Sequence, residues 1–200
     1  MKDLATYIGE ACSISEACSI RDYIIEARTL KDLKDKQVGK IETGGYKYFP
    51  TKRSEFETLV KQLIQERGNN ADLNDIDTSK ITDMSGLFRG SQFNGDISKW
   101  NVSNVEYMNS MFWSSAFKGD ISKWNVSNVE SMDSMFYNSP FNGDLSKWKV
   151  SKVKYMGRMF FHSKFNGDIS NWKVSNVKDM NMMFDDSPLQ NNPPKWYKAK

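Results

Sequence analysis

Trp100, Trp124, Trp148, Trp172 and Trp196 follow one another at intervals of 24 residues, with no insertion between them. That spacing defines a tandem array, in which no unit can bury its own apolar face and each must stack on its neighbours. The unit reads NGDISKWNVSNVEYMNSMFWSSAF, with close copies KGDISKWNVSNVESMDSMFYNSPF, NGDLSKWKVSKVKYMGRMFFHSKF and NGDISNWKVSNVKDMNMMFDDSPL. Upstream, DLNDIDTSKITDMSGLFRGSQF is the same unit in degenerate form: Leu73 stands for the Ile of GDI, Ile76 for Trp, Ile81 for the second Val and Leu87 for the second Met. Degenerate edge copies belong where one side of a repeat meets a cap rather than another repeat.

Within a unit, the Gly of Asn-Gly-Asp or Lys-Gly-Asp (Gly95, Gly119, Gly143, Gly167) marks a turn and is free to take positive φ. The I-S-K-W-N-V that follows alternates large apolar with polar residues and predicts a short strand. A helical turn comes next. Ser103-Asn-Val-Glu106 and Ser127-Asn-Val-Glu130 have the form of a capping box, and Ser151 and Ser175 keep the capping residue where Lys154 and Lys178 replace the glutamate. Val105, Met108, Met111 and Phe112 then fall on one helical face. Stacked strands need about 4.8 Å and packed helices roughly 8–10 Å, so such an array curves, with strands inside and helices outside. The expected fold class is an α/β repeat solenoid of short strand plus short helix, with a helical N-terminal cap.

The string W-x-V-S-x-V-x-x-M-x-x-M-F followed by F-N-x-D resembles the short repeats of bacterial surface lipoproteins related to the BspA-like leucine-rich repeats, which also occur in phage-encoded proteins. The resemblance covers about two thirds of the chain. It implies leucine-rich-repeat-like coils and adhesion or other protein contacts, and brings no catalytic residues with it. Members at the cell surface carry export or lipidation signals. This sequence shows neither, nor an apolar run of membrane-span length, which points to a cytoplasmic or phage-assembly setting.

Before the array the pattern changes. Residues 1–45 form a helical segment, with Ser13-Ile-Ser-Glu16 and Ser19-Ile-Arg-Asp22 as helix starts and Ile24, Ile25, Ala27, Leu30 and Leu33 as its apolar side. It packs on the cap or docks another protein. Residues 46–71 form a strand-helix cap: Tyr46-Lys-Tyr-Phe49 as strand, then a helix opening at Ser54-Glu-Phe-Glu57, carrying Phe56, Leu59, Val60, Leu63 and Ile64, and stopping at Gly68. Residues 72–200 are the repeat domain.

Function is sought where the units differ, since packing accounts for what they share. Directly after each Leu/Met-Phe pair stand Arg89, Trp113, Tyr137, Phe161 and Asp185. Trp113, Tyr137 and Phe161 therefore share one equivalent site in three adjacent units, as an exposed stripe for partner binding or as core fillers. Tyr107 and Tyr155 share a second position. Glu106, Glu130, Lys154 and Lys178 change from acidic to basic along the array. Lys99, Lys123 and Lys147 form one file and Asn101, Asn125, Lys149 and Lys173 another, beside Asp96, Asp120, Asp144 and Asp168, which suit turn hydrogen bonds better than calcium.

Composition narrows the classes. Lys and Arg number 28 against 25 Asp and Glu, a net +3, which gives no general reason to capture nucleic acid. The 12 Phe, 6 Trp and 11 Met recur at fixed intervals, as a core of repeated large side chains requires. Cys12 and Cys18 are the sole cysteines and His162 the sole histidine, so neither a disulfide framework, a zinc cluster nor a cofactor is implied. No catalytic constellation is visible. The expectation is a non-enzymatic protein-protein interaction module. The alternatives are a structural subunit of a phage or bacterial assembly, homo-oligomerisation included, and carbohydrate or single-stranded nucleic-acid binding through Trp113, Tyr137 and Phe161.

Overall fold

The chain divides into Met1–Glu42 and Thr43–Lys200, and the computed structural model describes residues 45–198, all within the second unit. The helical reading of residues 1–44, with its docking role, lies outside the described residues.

One helix is present among them, α1, Arg53–Arg67. Phe56, Leu59, Val60 and Leu63 recur at three- and four-residue spacing and are buried on one side of it. It opens one residue before Ser54, which is not its cap. Instead the Thr51 backbone N–H and hydroxyl both donate to Glu55 Oε2, at 3.2 and 3.4 Å. Gly68 ends it with φ +87°, its N–H donating to the Ile64 carbonyl at 2.8 Å. Phe56 lies 5.2 Å from Trp100 ring to ring, and Arg53 donates to the Ser85 carbonyl at 2.6 Å. These contacts lay α1 on the first units of the array.

From residue 70 onward, units 24 residues apart lie directly against one another, but they are not an α/β solenoid of the leucine-rich-repeat kind. The described residues contain no sheet and no helix after α1. Parallel pairing is confined to single residues: Tyr48 with Ile76, Asp72 with Asp96, and a file running Asp83, Tyr107, Ser131, Tyr155, Asp179. The segments I-S-K-W-N-V and Tyr46–Phe49 are not strands, and the Ser-Asn-Val-Glu segments are not helix starts. Each unit is a succession of tight turns.

Spacing explains the correction. The N–H groups of Met84, Gly86, Phe88 and Gly90 donate to the carbonyls of Tyr107, Asn109, Met111 and Trp113 in the next unit, at 2.8–3.0 Å. The next junctions repeat this row, and the Glu106, Glu130, Lys154 and Lys178 N–H groups each bond back to the preceding unit at 2.7–2.8 Å. Units joined this closely leave no room for helices, whose axes pack roughly 8–10 Å apart. Remaining N–H groups close local turns, as from Met111 to the Met108 carbonyl and from Trp113 to that of Ser110. Residues at two places in each unit take positive φ, among them Ser110 (+54°), Ser114 (+50°), Arg158 (+52°) and His162 (+53°), and this ends each turn before it becomes a helix. Val105, Met108, Met111 and Phe112 are fully buried all the same, because consecutive turns place them inward as a helix would.

The core is a set of files. Phe88, Phe112, Phe136, Phe160 and Phe184 stack face to face at 5.5–5.9 Å. Tryptophan, rather than another large apolar residue, is used because its N–H is needed. Trp100, Trp124, Trp148, Trp172 and Trp196 donate from Nε1 to the carbonyls of Leu73, Ile97, Ile121, Leu145 and Ile169 at 2.9–3.2 Å, closing a buried acceptor of the preceding unit. The glycines of the Gly-Asp turns act by size, not by positive φ. A Cβ on Gly95 would lie 2.0 Å from the Ala71 carbonyl oxygen, and one on Gly119 2.7 Å from the Phe117 ring.

Candidate functional site

The backbone positions the aromatic file. Trp113, Tyr137 and Phe161 each accept at their carbonyl from the preceding unit, from Gly90, Ser114 and Asn138 at 2.8–2.9 Å. Each also donates its own N–H into a local turn, to Ser110, Ser134 and Arg158 at 3.1–3.2 Å. Held at both groups, the side chains emerge in register and their rings stack: Trp113 on Tyr137 at 4.0 Å and 15°, Tyr137 on Phe161 at 5.0 Å and 6°. The Arg89 guanidinium lies 4.6 Å over the outer face of Trp113, a cation–π cap on the file. All three aromatic residues are half-buried, so they are neither core nor free surface. Both faces of Trp113 and of Tyr137 are taken, by Arg89 and the neighbouring rings, and Phe161 is stacked on the side of Tyr137.

Tyr107 and Tyr155 are 41% and 45% exposed, on the same hydrogen-bonded segment of their units, with the smaller Ser131 between them. The Ser131 hydroxyl donates to Asn109 Oδ1. The acidic-to-basic gradient becomes one ion pair: Lys154 Nζ lies 2.7 Å from Glu130 Oε2, and this hydrogen bond raises the lysine pKa.

Lys99, Lys123 and Lys147 are exposed, a file apart from the aromatic one. Lys147, Lys149 and Lys173 line a shallow groove with Trp148 and Asn171. Asp96, Asp120, Asp144 and Asp168 stand beside this file, and each accepts from the backbone N–H two residues on (Ser98, Ser122, Ser146, Ser170) at 2.8–2.9 Å. The serine hydrogen bonds pull these carboxyls below their ordinary value. The aspartates thus serve the turns. No group of three or more His, Cys, Asp or Glu placed to hold a metal occurs among the described residues, and none of their helices is long and apolar enough to cross a membrane.

The structure therefore joins Trp113, Tyr137 and Phe161 into one continuous feature, places Tyr107 and Tyr155 on the same segment, and keeps the lysines apart. Sequence reasoning noted Arg89 at the head of the file but did not foresee its cap on Trp113.

A turn-built stack of this kind, with its variable residues gathered on one segment, defines a tandem-repeat protein. The chain belongs to the family described as "Mycoplasma protein of unknown function, DUF285", whose model matches residues 57–162 and again 115–199. The two matches overlap, as one model laid twice along a tandem array does. No curated protein and no solved structure matches the chain.

Proposed function

We propose that the chain is a non-enzymatic protein-protein interaction module whose partner contacts the ring edges of Trp113, Tyr137 and Phe161, with Tyr107 and Tyr155 beside them. The observation that carries this reading is the half-exposed ring file fixed in register by backbone bonds on both sides. Side chains ordered before binding lose little freedom on association, and Trp and Tyr are the residues most enriched at interaction hot spots. The resemblance of the repeat string to BspA-like surface lipoproteins supports the same reading at the level of motif. Binding of sugars or unpaired bases is less well supported, because both need a free ring face and the faces of Trp113 and Tyr137 are already occupied.

The test is a triple variant, Trp113→Ala, Tyr137→Ala and Phe161→Ala, assayed against the partner isolated in complex with the native chain, after circular dichroism confirms the fold. Hot-spot truncations of 2 kcal/mol or more correspond to a loss of roughly 30-fold or greater in affinity. A folded triple variant that binds like the native chain would sink the proposal.

A further inference from the structure

We infer that the groove lined by Lys147, Lys149 and Lys173 docks an acidic segment of another protein, whose carboxylates take the place that asparagine side chains hold in the earlier units. The groove is separate from the aromatic file and does not depend on the reading of that file.

Charge is segregated along the array. Residues 72–145 carry five Lys and Arg against ten Asp and Glu, whereas residues 146–178 carry eight against the single Asp168. Within the second stretch Lys147, Lys149 and Lys173 are exposed and line one groove with Ser151 and Asn171. None of the three forms an ion pair among the described residues. A net charge of +3 for the whole chain conceals this patch.

Two of these lysines stand where the array otherwise uses an acceptor. Asp77, Asn101 and Asn125 each accept at Oδ1 from the N–H two residues on, that of Ser79, Ser103 and Ser127, at 2.9–3.3 Å. Lys149 and Lys173 hold the same position in the next two units and have no acceptor to offer. The N–H groups of Ser151 and Ser175 accordingly have none among the described residues. Lys152 makes a similar exchange. Asn104, Asn128 and Asn176 donate from Nδ2 to the carbonyls of Ser79, Ser103 and Ser151 at 2.7–2.8 Å, whereas Lys152 donates to Asn128 Oδ1 instead. Packing explains none of these lysines, and each gives up a bond that neighbouring units keep. A local rule broken at adjacent positions marks a functional site.

The groove thus combines ammonium groups with the Ser151 N–H, whose usual acceptor is missing. An Asp or Glu carboxylate suits both: it accepts from Ser151 as Asn125 Oδ1 accepts from Ser127, and it neutralises the lysines alongside. Alternate carboxylates of an extended peptide lie about 6.6 Å apart, within reach of lysine arms on adjacent units. Nucleic acid fits less well. Trp148 in the groove lining is 3% exposed and offers no face to a base, and Asp144 and Asp168 beside the lysine file oppose a continuous phosphate backbone. A lipid surface finds nothing apolar here to bury, since Tyr107, Tyr155 and Met182, the exposed large apolar residues among those described, lie outside the lining. A second copy fits poorly too. Its acidic residues at the equivalent positions are Asp75, already bonded to Arg67 at 3.0 Å and Lys47 at 3.5 Å, and Asp77, which holds Ser79. Residues 1–44 intersperse eight Asp and Glu with seven Lys and Arg and supply no acidic run.

The probe is a fluorescein-labelled peptide of alternating glutamate and serine, titrated into the full chain at about 0.15 M salt. The other arms are the glutamine-serine peptide, an oligo-deoxythymidine of equal length, and vesicles containing anionic lipid. The expected result is saturable binding of the glutamate peptide below about 1 mM, weakening as salt rises. The amide signals of Ser151 and Ser175 should shift on binding, and those of Ser103 and Ser127 should not. Lys149→Asn combined with Lys173→Asn restores the array's own residue, so this variant should melt no lower than the native chain and bind roughly tenfold more weakly or worse. The inference is overturned if no saturable response is seen, if the glutamine peptide binds equally, or if the double variant binds unchanged. It is equally overturned if the oligonucleotide or the vesicles bind more tightly than the acidic peptide.

Discussion

Met84 and Met180 occupy the same place in the repeat, one at each end of the stack, yet Met84 is wholly buried and Met180 half-exposed. At the N-terminal end the repeat is adapted to closure. Ile76 stands where the other units have Trp, and Phe56 of α1 packs on Trp100 in the next unit. At the C-terminal end Trp196 continues the Trp file and Tyr197 covers Phe184, while Val174, Val177 and Met180 are half-exposed, with no cover among the described residues. Units bonded in one direction also leave chemically unlike ends, carbonyls at one and N–H groups at the other along the same arm. One group is met at each end: the Arg53 guanidinium donates to the Ser85 carbonyl, and the Gln190 amide oxygen accepts from Asp186 N–H. The lesson is that a tandem array cannot be closed by one device used twice.

The sharpest way to break this comparison is to truncate the same position at both ends. Met84→Ala should cost about 2–5 kcal/mol, as for methionine in a closed core. Met180→Ala should cost less than about 1 kcal/mol, as for a side chain half in water. Denaturant unfolding of the two variants decides it, and equal losses would mean that the ends are closed alike.

A smaller effect is expected in acid, and it should be spread along the stack. The hydrogen bonds from Ser98 and Ser122 hold Asp96 and Asp120 below their ordinary value of 3.8. A carboxyl depressed on folding contributes stability above its unfolded pKa and loses it as pH falls through the folded one. The melting temperature should therefore be insensitive to these groups above about pH 5 and decline in the range below 3.8. Asp120→Asn keeps an acceptor for the turn while removing the titration, so it should lessen the acid decline slightly. The difference between Met84→Ala and Met180→Ala should persist at both pH values.

What was legible in the sequence follows from which physical rules are local. The 24-residue Trp interval fixed the repeat, and the spacing of Phe56, Leu59, Val60 and Leu63 marked α1. Val105, Met108, Met111 and Phe112 were read correctly as an inward set but wrongly as helical, because consecutive tight turns and a helix bury residues at the same spacing. Positive φ at Ser110 and Ser114 had a signal in their equivalents, Gly86 and Gly90 in the first unit and Asn138 and Asp186 further on, whereas the hydrogen bonds to residues 23 positions on leave no signature in residue type. Gly95 and Gly119 were assigned a turn conformation when their role is to make room for a carbonyl and a ring from outside the turn. In the candidate site, the equivalence of Trp113, Tyr137 and Phe161 was visible from spacing alone. Their half-burial and mutual stacking required the distance between units.

Native-state hydrogen exchange, resolved by residue in the full chain alone, tests most directly the claim that the units are joined by backbone bonds, for which the N–H groups of Met180, Met182 and Phe184 have no acceptor among the described residues. The account predicts that Ser110, Phe112, Ser134, Phe136, Arg158 and Phe160 exchange only on global unfolding. Met180, Met182 and Phe184 should exchange faster by orders of magnitude. Protection at those three amides equal to that of the internal ones, or fast exchange at Phe112 and Phe136, would contradict it.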